Sequence, residues 1–428
     1  MKALPVIAGT VLLLCLSSSA VFAGDVFVVS INGVINPPSA TYLCESIKAA
    51  GEKGAEAIVV LLDTPGGLDT SMREIIKAIM ESAVPVIVYV HPSGARAASA
   101  GAVILLASHV AAMTPGTNVG AAHPVSIGKD KADKEMMQKV VKDAEAYVRS
   151  IALKRGRNAD WAAKAVKESA SIAAGEALDK KVIDVVVKDL NDLLEAVDGR
   201  TVETKTGRVK LDTREARRVD LPMPFKYRFL SYLSDPNVAY ILMMIGIYGI
   251  LFEIYSPGAI FPAVAGGISI ILALYAFQTI PISYAGLSLI LLGVIFFILE
   301  LKIVSHGVLG IAGIVSIVIG SIMLIDLPGG PFSISWTSIA VVAILSGIFF
   351  FGVLSYAIRA QLSKVKTGRE GLIGESGLAK TDISPEGIVL IHGERWNATS
   401  DEPVAKGDTV TVLDVKGLKV KVKKEGRP

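Results

Sequence analysis

The chain has 428 residues, 52% of them hydrophobic, and a mean hydropathy of +0.54. Aromatic residues, at 6%, do not explain that value, so a single soluble globule is excluded and a membrane part is required. A net charge of +3 is too small to mark a nucleic-acid-binding protein and reads as an ordinary mixed surface.

The chain opens with Met1-Lys2, an apolar run over residues 5–16 and small residues up to Ala23. This pattern predicts a signal peptide over residues 1–23, with Val21 and Ala23 placed for signal peptidase and cleavage before Gly24. An uncleaved anchor is the alternative. Leu14 before Cys15 does not suit lipid attachment. Loss of Cys15 leaves Cys44 alone and no internal disulfide. Cys44 lies in an amphipathic helical pattern and reads as packing rather than catalysis. The five histidines (His91, His109, His123, His306 and His392) show no ligand spacing, so neither metal nor cofactor is expected.

Residues 24–190 alternate β-rich and helical runs. Residues 26–31, 57–62 and 84–90 are rich in Val and Ile, as buried parallel strands are, with helical periodicity over 40–52 and 69–82 between them. The alternation implies an α/β layer with right-handed crossovers. A long helix is predicted over 132–155, with Met137, Val140, Val141, Ala144, Val148 and Ile151 as its apolar stripe. Glu135, Lys142 and Arg149 occupy the opposite face. Residues 191–236, charged and Pro-containing, read as a linker.

From residue 238 to 358 the charged residues are Glu253, Glu300, Lys302 and Asp326, a density that predicts a transmembrane domain over 237–358. Breaks near 255–258, 278–283, 300–306 and 326–335 divide it into five helices. Glu253 is either a functional intramembrane acid or the end of a span. Arg359, Lys364, Lys366 and Arg369 follow the last span and predict a cytoplasmic C-terminus; the leader predicts an extracytoplasmic N-terminal domain. Arg217, Arg218, Lys226 and Arg228, on the outer side, run against the charge rule, which long exported domains escape. Residues 359–428 contain a small β domain of the size of a five-stranded OB barrel. Trp396 is its one stacking aromatic, so a protein-contact or structural role is favoured over nucleic acid.

Two stretches carry chemistry. Ser99 sits among small residues, Ala97-Ala-Ser-Ala-Gly101, at the head of a helical run, where a substrate backbone can approach and a helix N-terminus favours negative charge. The same run suits close packing of a helix on a sheet. Gly66 and Gly67, directly after a strand, are placed to offer N–H groups as an oxyanion hole, or form a plain turn.

Asp63-Thr-Pro-Gly-Gly-Leu68, Ala97-Ala-Ser-Ala-Gly101, Pro115-Gly-Thr-Asn-Val-Gly-Ala-Ala122 and Gly156-Arg-Asn158 together resemble the protease domain of the NfeD family, membrane-bound serine proteases of the ClpP class. Gly393-Glu-Arg-Trp-Asn-Ala398 and Pro403-Val-Ala-Lys-Gly-Asp-Thr-Val410 resemble that family's OB domain. The resemblance covers nearly the whole mature chain. It implies a ClpP/crotonase-like β/α superhelix, a serine nucleophile, a homo-oligomer, and stomatin-like (SPFH) membrane proteins as substrate or partner. It also implies a Ser–Lys dyad, but the position expected for that lysine, before Ser150-Ile-Ala152, holds Arg149, which does not deprotonate in proteins. Lys142, one heptad earlier on the same helical face, and His123, 24 residues after Ser99 and near where ClpP places its histidine, are the substitutes, with Lys139 behind Lys142. The expected function is therefore a serine endopeptidase of the cytoplasmic membrane cleaving apolar, membrane-near segments. A catalytically inactive scaffold for stomatin-like proteins is the rival, favoured by Arg149. Acyl-CoA chemistry on the same fold is a second rival, one that an exported domain would not support.

Overall fold

The computed structural model describes residues 24–124, 134–255, 258, 260–280, 282–303, 305, 307–325, 334–362 and 369–425. The signal peptide expected over 1–23 lies outside them. The chain divides into two compact units, residues 1–346 and 347–428.

The N-terminal domain alternates strand and helix: β1 (Asp25–Asn32), α1 (Pro37–Glu52), β2 (Ala57–Asp63), α2 (Asp69–Met80), β3 (Val86–Val90), β4 (Arg96–Ala98), α3 (Ala100–Ala107), β5 (Val110–Met113), β6 (Asn118–Gly120), α4 (Lys134–Lys154), α5 (Ala159–Lys167), β7 (Ser171–Ala173), α6 (Ala174–Asp179) and β8 (Val185–Val186). The predicted strands and helices fall within a few residues of these bounds. Helix α1 begins three residues before its predicted start because Asn36 and Ser39 form a reciprocal capping box and Pro37 suits the first turn.

Residues 191–236 are not a linker. They form α7 (Leu190–Val197), β9 (Thr201–Thr204), β10 (Gly207–Lys210), β11 (Arg217–Asp220) and α8 (Phe225–Leu233). The reason is that a parallel sheet needs both faces covered. Strand order in the main sheet is β11-β1-β2-β3-β5-β8, every neighbouring pair parallel. Alternate strand residues such as Val29, Val60 and Val88 point into one core with α1–α5. Val28, Val59 and Ile87 point into the other, which α7 closes with Leu190, Leu193, Leu194 and Val197 at i, i+3, i+4 and i+7. Strand β11 extends the sheet beside β1, where Arg217 grips both carboxylate oxygens of Asp25 at 2.8 and 2.9 Å. A second, three-stranded sheet, β4-β6-β7, adds a layer and completes the expected β/α architecture.

Arg157, 6% exposed, locks these layers together. It donates to the carbonyls of Leu106 and Ser108 at 2.6 and 2.9 Å, and to Asp184 at 2.6 Å. The carbonyls left open at the end of α3 thus meet a buried cation that is itself paired.

Five apolar helices follow: α9 (Pro236–Tyr255), α10 (Phe261–Thr279), α11 (Tyr284–Lys302), α12 (Val308–Leu324) and α13 (Trp336–Leu362). By length and composition α9 and residues 261–278 are long and apolar enough to cross a membrane; the rest contain shorter apolar stretches. Glycines let backbones touch. A Cβ on Gly249 would lie 3.0 Å from the Cα of Gly266, and one on Gly293 would lie 2.7 Å from the carbonyl oxygen of Gly313. Tyrosines of α9 tie the bundle: Tyr240 to Ser321 at 2.8 Å, Tyr248 to Ser346, and Tyr255 to the carbonyl of Phe297 at 2.8 Å. Glu253 accepts from the N–H of Gly258 at 2.7 Å, so it fastens the turn that ends α9.

The second unit contains α14 (Arg369–Leu372) and β12 (Ser376–Ala379), β13 (Glu386–Ile391), β14 (Glu394–Thr399), β15 (Thr409–Lys416) and β16 (Lys419–Lys424). These strands close a barrel in the order β12-β13-β14-β16-β15 around Val389, Ile391, Val410, Val412, Val420 and Val422. It is the expected five-stranded barrel, with Trp396 half-buried against its core.

Candidate active site

The C-terminal end of β2 runs into Thr64-Pro-Gly-Gly, and both edges of that segment are pinned. Thr64 donates its N–H to Arg96 at 2.8 Å and receives that of Ala98 at 3.1 Å, which docks β4 beside it. On the other edge the N–H of Ile35 donates to Gly66, and that of Leu68 donates to Ile35. Gly66 has φ +120°, and a Cβ on Gly67 would lie 2.1 Å from the Ile35 carbonyl oxygen. Both positions therefore require glycine.

Ser99 stands between β4 and α3 with φ 52° and ψ −116°, a conformation that L side chains rarely adopt. Its N–H donates to Gly120 at 2.9 Å, fixing the turn against β6. A serine at a sharp strand-to-helix turn presents its hydroxyl outward, as a nucleophile elbow does. Ser99 is half-buried, and among the described residues its Oγ has no hydrogen-bond partner. The small neighbours have a structural reason as well: a Cβ on Gly101 would lie 2.4 Å from Thr64 Cγ2.

The two glycines do different work. The Gly66 N–H donates to Thr64 Oγ1 at 3.0 Å and is occupied. That of Gly67 has no acceptor among the described residues. The N–H of Ala100, in the first turn of α3, is one of those a helix leaves open. Among the described residues the N–H groups of Gly67 and Ala100 are thus open, while the missing side chain of Gly66 leaves clearance beside Ser99. Ala100 is not singled out by the sequence, although it directly follows Ser99.

The candidate bases are not gathered round Ser99. Beyond β6 the chain follows the β7 side of the small sheet: Ala121 donates to Ala170 and Ala122 to Ala165, each at 2.9 Å. His123 Nδ1 then meets the carbonyl oxygen of Val166, the penultimate residue of α5, at 2.7 Å. The ring is docked on α5, and no hydrogen bond joins it to Ser99 among the described residues. Lys139 and Lys142 are exposed near the N-terminal end of α4, Lys139 paired with Glu135 at 3.1 Å. Residues 125–133, leading into α4, lie outside the described residues. Arg149 is held by Asp160 at 2.9 Å and Glu145 at 3.3 Å, and those partners raise its pKa further. It is an anchor between α4 and α5.

Burial raises the Cys44 thiol to about 11, which leaves it an inert packing group. Among the described residues no cluster of His, Cys, Asp or Glu could hold a metal ion.

Residues 25–201 match the family described as NfeD1b, N-terminal domain. Residues 237–355 match the NfeD integral membrane domain, and residues 369–424 the NfeD-like C-terminal, partner-binding domain. The chain is 36% identical to the membrane-bound protease PH1510 of Pyrococcus horikoshii, over 97% of this chain and 98% of that protein. It is 26% identical to the membrane protein NfeD1b of Bacillus subtilis, over 93% of this chain and 92% of the other. Among solved structures it is similar to 1510-N, a membrane protease specific for a stomatin homolog from Pyrococcus horikoshii, at 36% identity, 50% of this chain, 99% of that one and a TM-score of 0.43. A lysine-to-alanine mutant of 1510-N, solved in complex with a substrate peptide, gives 36% identity, 49% and 97% coverage and a TM-score of 0.47. With three consecutive domain matches and a relative aligned from end to end, the chain belongs to the NfeD family.

Proposed function

We propose that this protein is a membrane-anchored serine endopeptidase cleaving apolar segments of membrane-associated proteins, stomatin-like proteins among them. The observation that carries the reading is the strained Ser99 turn packed against Gly66, whose missing side chain leaves the Ser99 hydroxyl clear. Ser99 Oγ attacks the scissile carbonyl, and its proton passes to a base. The carbonyl oxygen, now negative, is held by Gly67 and Ala100; the base returns the proton to the leaving amine as the C–N bond breaks, and water then hydrolyses the acyl ester on Ser99 and restores its hydroxyl.

The base in this reading is a lysine of α4. His123 is spent on α5, and the resemblance to the NfeD proteases implies a lysine. Lys139 and Lys142 are three residues apart and share one side of the helix. Each is exposed in the single chain, so a neutral amine requires desolvation by substrate or by a second copy. The N-terminal domain is placed outside the cytoplasmic membrane and the barrel inside, from the leader and the basic residues after the last span. The partner at the barrel is a stomatin-like protein.

The test is cleavage of apolar peptides by the full chain in nanodiscs, with Ser99→Ala, Lys139→Ala, Lys142→Ala and His123→Ala. Loss with Ser99→Ala and with one lysine variant, but not with His123→Ala, is expected. That no base is bonded to Ser99 Oγ among the described residues favours a second reading, a non-catalytic scaffold for the same partners. No cleavage by the folded wild-type chain, and no labelling of Ser99 by a fluorophosphonate, would establish that alternative.

A further inference from the structure

Helix α8 carries an aromatic stripe that the N-terminal domain leaves uncovered. Phe225, Phe229 and Tyr232 are 73%, 43% and 67% exposed. Their spacing of i, i+4 and i+7 sets them on one face, where the rings of Phe225 and Phe229 stack with centroids 5.9 Å apart. Lys226 and Arg228, both exposed, flank that stripe at roughly 100° on one side and 60° on the other.

The other face of α8 is fixed to the domain. Tyr227 donates its hydroxyl to Glu45 at 2.7 Å, and Asn36 Nδ2 donates to Ser231 Oγ at 2.9 Å, so two points of the α1 region hold the helix. Tyr42 of α1 reaches the carbonyl of Leu221 just upstream. The stripe is thus presented outward on a supported helix.

Its position says what covers it. Asp235 caps α9, its Oδ1 accepting from the N–H groups of Asn237 and Val238 at 2.8 and 3.2 Å. The apolar membrane helix begins there, and Ser234 and Asp235 are all that separate it from the end of α8. Rings at the boundary of a span, with cations on both flanks, match a headgroup layer: the rings enter the acyl boundary and the cations meet phosphates.

The geometry points to α8 as an interfacial helix lying along the membrane surface and binding anionic phospholipid headgroups through Lys226 and Arg228. Because its opposite face is bonded to Glu45 and Asn36, the bilayer surface sets the attitude of the whole N-terminal domain. The inference rests on the membrane domain and is independent of hydrolytic activity.

The test uses the full chain, with Cys15 and Cys44 replaced by alanine, in nanodiscs of phosphatidylcholine with and without phosphatidylglycerol. A nitroxide is attached at Phe225→Cys, Phe229→Cys or Tyr232→Cys, and at Lys48→Cys, an exposed position on α1, as the aqueous control. Collision with oxygen and with a water-soluble nickel chelate reports depth. The expected result is oxygen-dominated relaxation at the three α8 positions and nickel-dominated relaxation at Lys48→Cys. Removing phosphatidylglycerol, or introducing Lys226→Gln with Arg228→Gln, should lower the oxygen-to-nickel ratio on α8 at least ~2-fold.

Nickel access on α8 equal to that at Lys48→Cys would overturn the proposal by placing the helix in water. Shielding from both reagents, with spin–spin broadening, would overturn it in favour of a second copy on the stripe. A depth insensitive to phosphatidylglycerol and to both charge variants would overturn the anionic-headgroup assignment. The α8 side chains and Lys48 are exposed, and unchanged circular dichroism with a monodisperse elution profile verifies that each variant, the cysteine-free background included, folds.

Discussion

A methyl group on Gly66 would stand 2.6 Å from the Cβ of Ser99 and 3.2 Å from its Oγ. The missing side chain at residue 66 leaves open the space beside the Ser99 hydroxyl. The Ser99 turn and the Gly66-Gly67 turn therefore form one unit, each shaped to fit the other.

Gly66→Ala should silence cleavage while leaving the domain folded. The added carbon pushes Ser99 out of line and strains a backbone at φ +120°. A loss of at least ~100-fold in kcat is expected, the scale on which one misplaced oxyanion contact costs an acyl-transfer enzyme. Steady-state kinetics, with circular dichroism on the same sample, check it. Near-wild-type turnover would mean that residue 66 does not bound the site.

Ser99→Gly should stabilise the protein as it removes the nucleophile. Serine at φ 52° carries strain of about 1–3 kcal/mol, and glycine relieves it at some entropic cost, leaving a net gain of about 1 kcal/mol. Ser99→Ala keeps the strain and should show no such gain. Comparing the denaturant midpoints of the two variants separates strain from chemistry.

Acid should weaken the N-terminal domain through His109. Burial, then Arg155 and Arg157, push this imidazole down to about 3, while its Nδ1 accepts the Val86 N–H at 3.1 Å. The fold holds it neutral, so the unfolded chain binds one more proton between pH 6.5 and about 3. The stability it contributes is complete above pH 6.5 and falls by about 1.4 kcal/mol per unit as pH drops through that window. His109→Gln should flatten the slope by one proton, measured as denaturation midpoint against pH.

In the membrane domain, Gly249→Val should split α9 from α10. The new side chain would meet the Pro262 carbonyl oxygen at 2.5 Å and the Cα of Gly266 at 3.0 Å. Overpacking of this kind costs about 1–3 kcal/mol. Gly267→Val, at a position with no atom within 4 Å, is the matched control and should be silent. Thermal unfolding in detergent compares the two, and equal melting would dismiss the glycine contact as the hairpin's support.

Much of this fold is readable from residue order because its strands are buried on both sides. Runs such as those in β1, β2 and β3 are nearly continuous Val, Ile and Leu, and the observed ends lie within two residues of the expected ones. Strand β11 defeats the same reasoning. It is an edge strand, Arg217-Arg-Val-Asp220, whose charges belong to its position and make it look like a connector. The leucine stripe of α7 was a legible sign that the second sheet face needed a cover. Strands β4, β6 and β7 have three residues each, too few for any period to show.

At the site, Ser99, Gly66 and Gly67 could be singled out because small residues and glycine pairs are conspicuous. Their division of labour could not, since it depends on the Thr64 hydroxyl occupying the Gly66 N–H. The distance from Ser99 to His123 along the chain said nothing of Ala121 and Ala122 turning toward α5. Arg149, at the position where the resemblance implies a lysine, is an ion-paired strut.

The pairing of β1 with β11 sets a timetable. Asp25 and Arg217 are 192 positions apart, and at ribosomal speeds of about 5–20 residues per second the first strand waits roughly 10–40 s for that partner. Residues 221–224, helix α8 and a two-residue joint separate β11 from α9, so the last edge of the sheet and the first apolar helix emerge almost together. Completion of the domain and entry into the bilayer are thereby synchronised. A chain stalled before residue 217 would carry an open strand edge and none of the helices α9–α13.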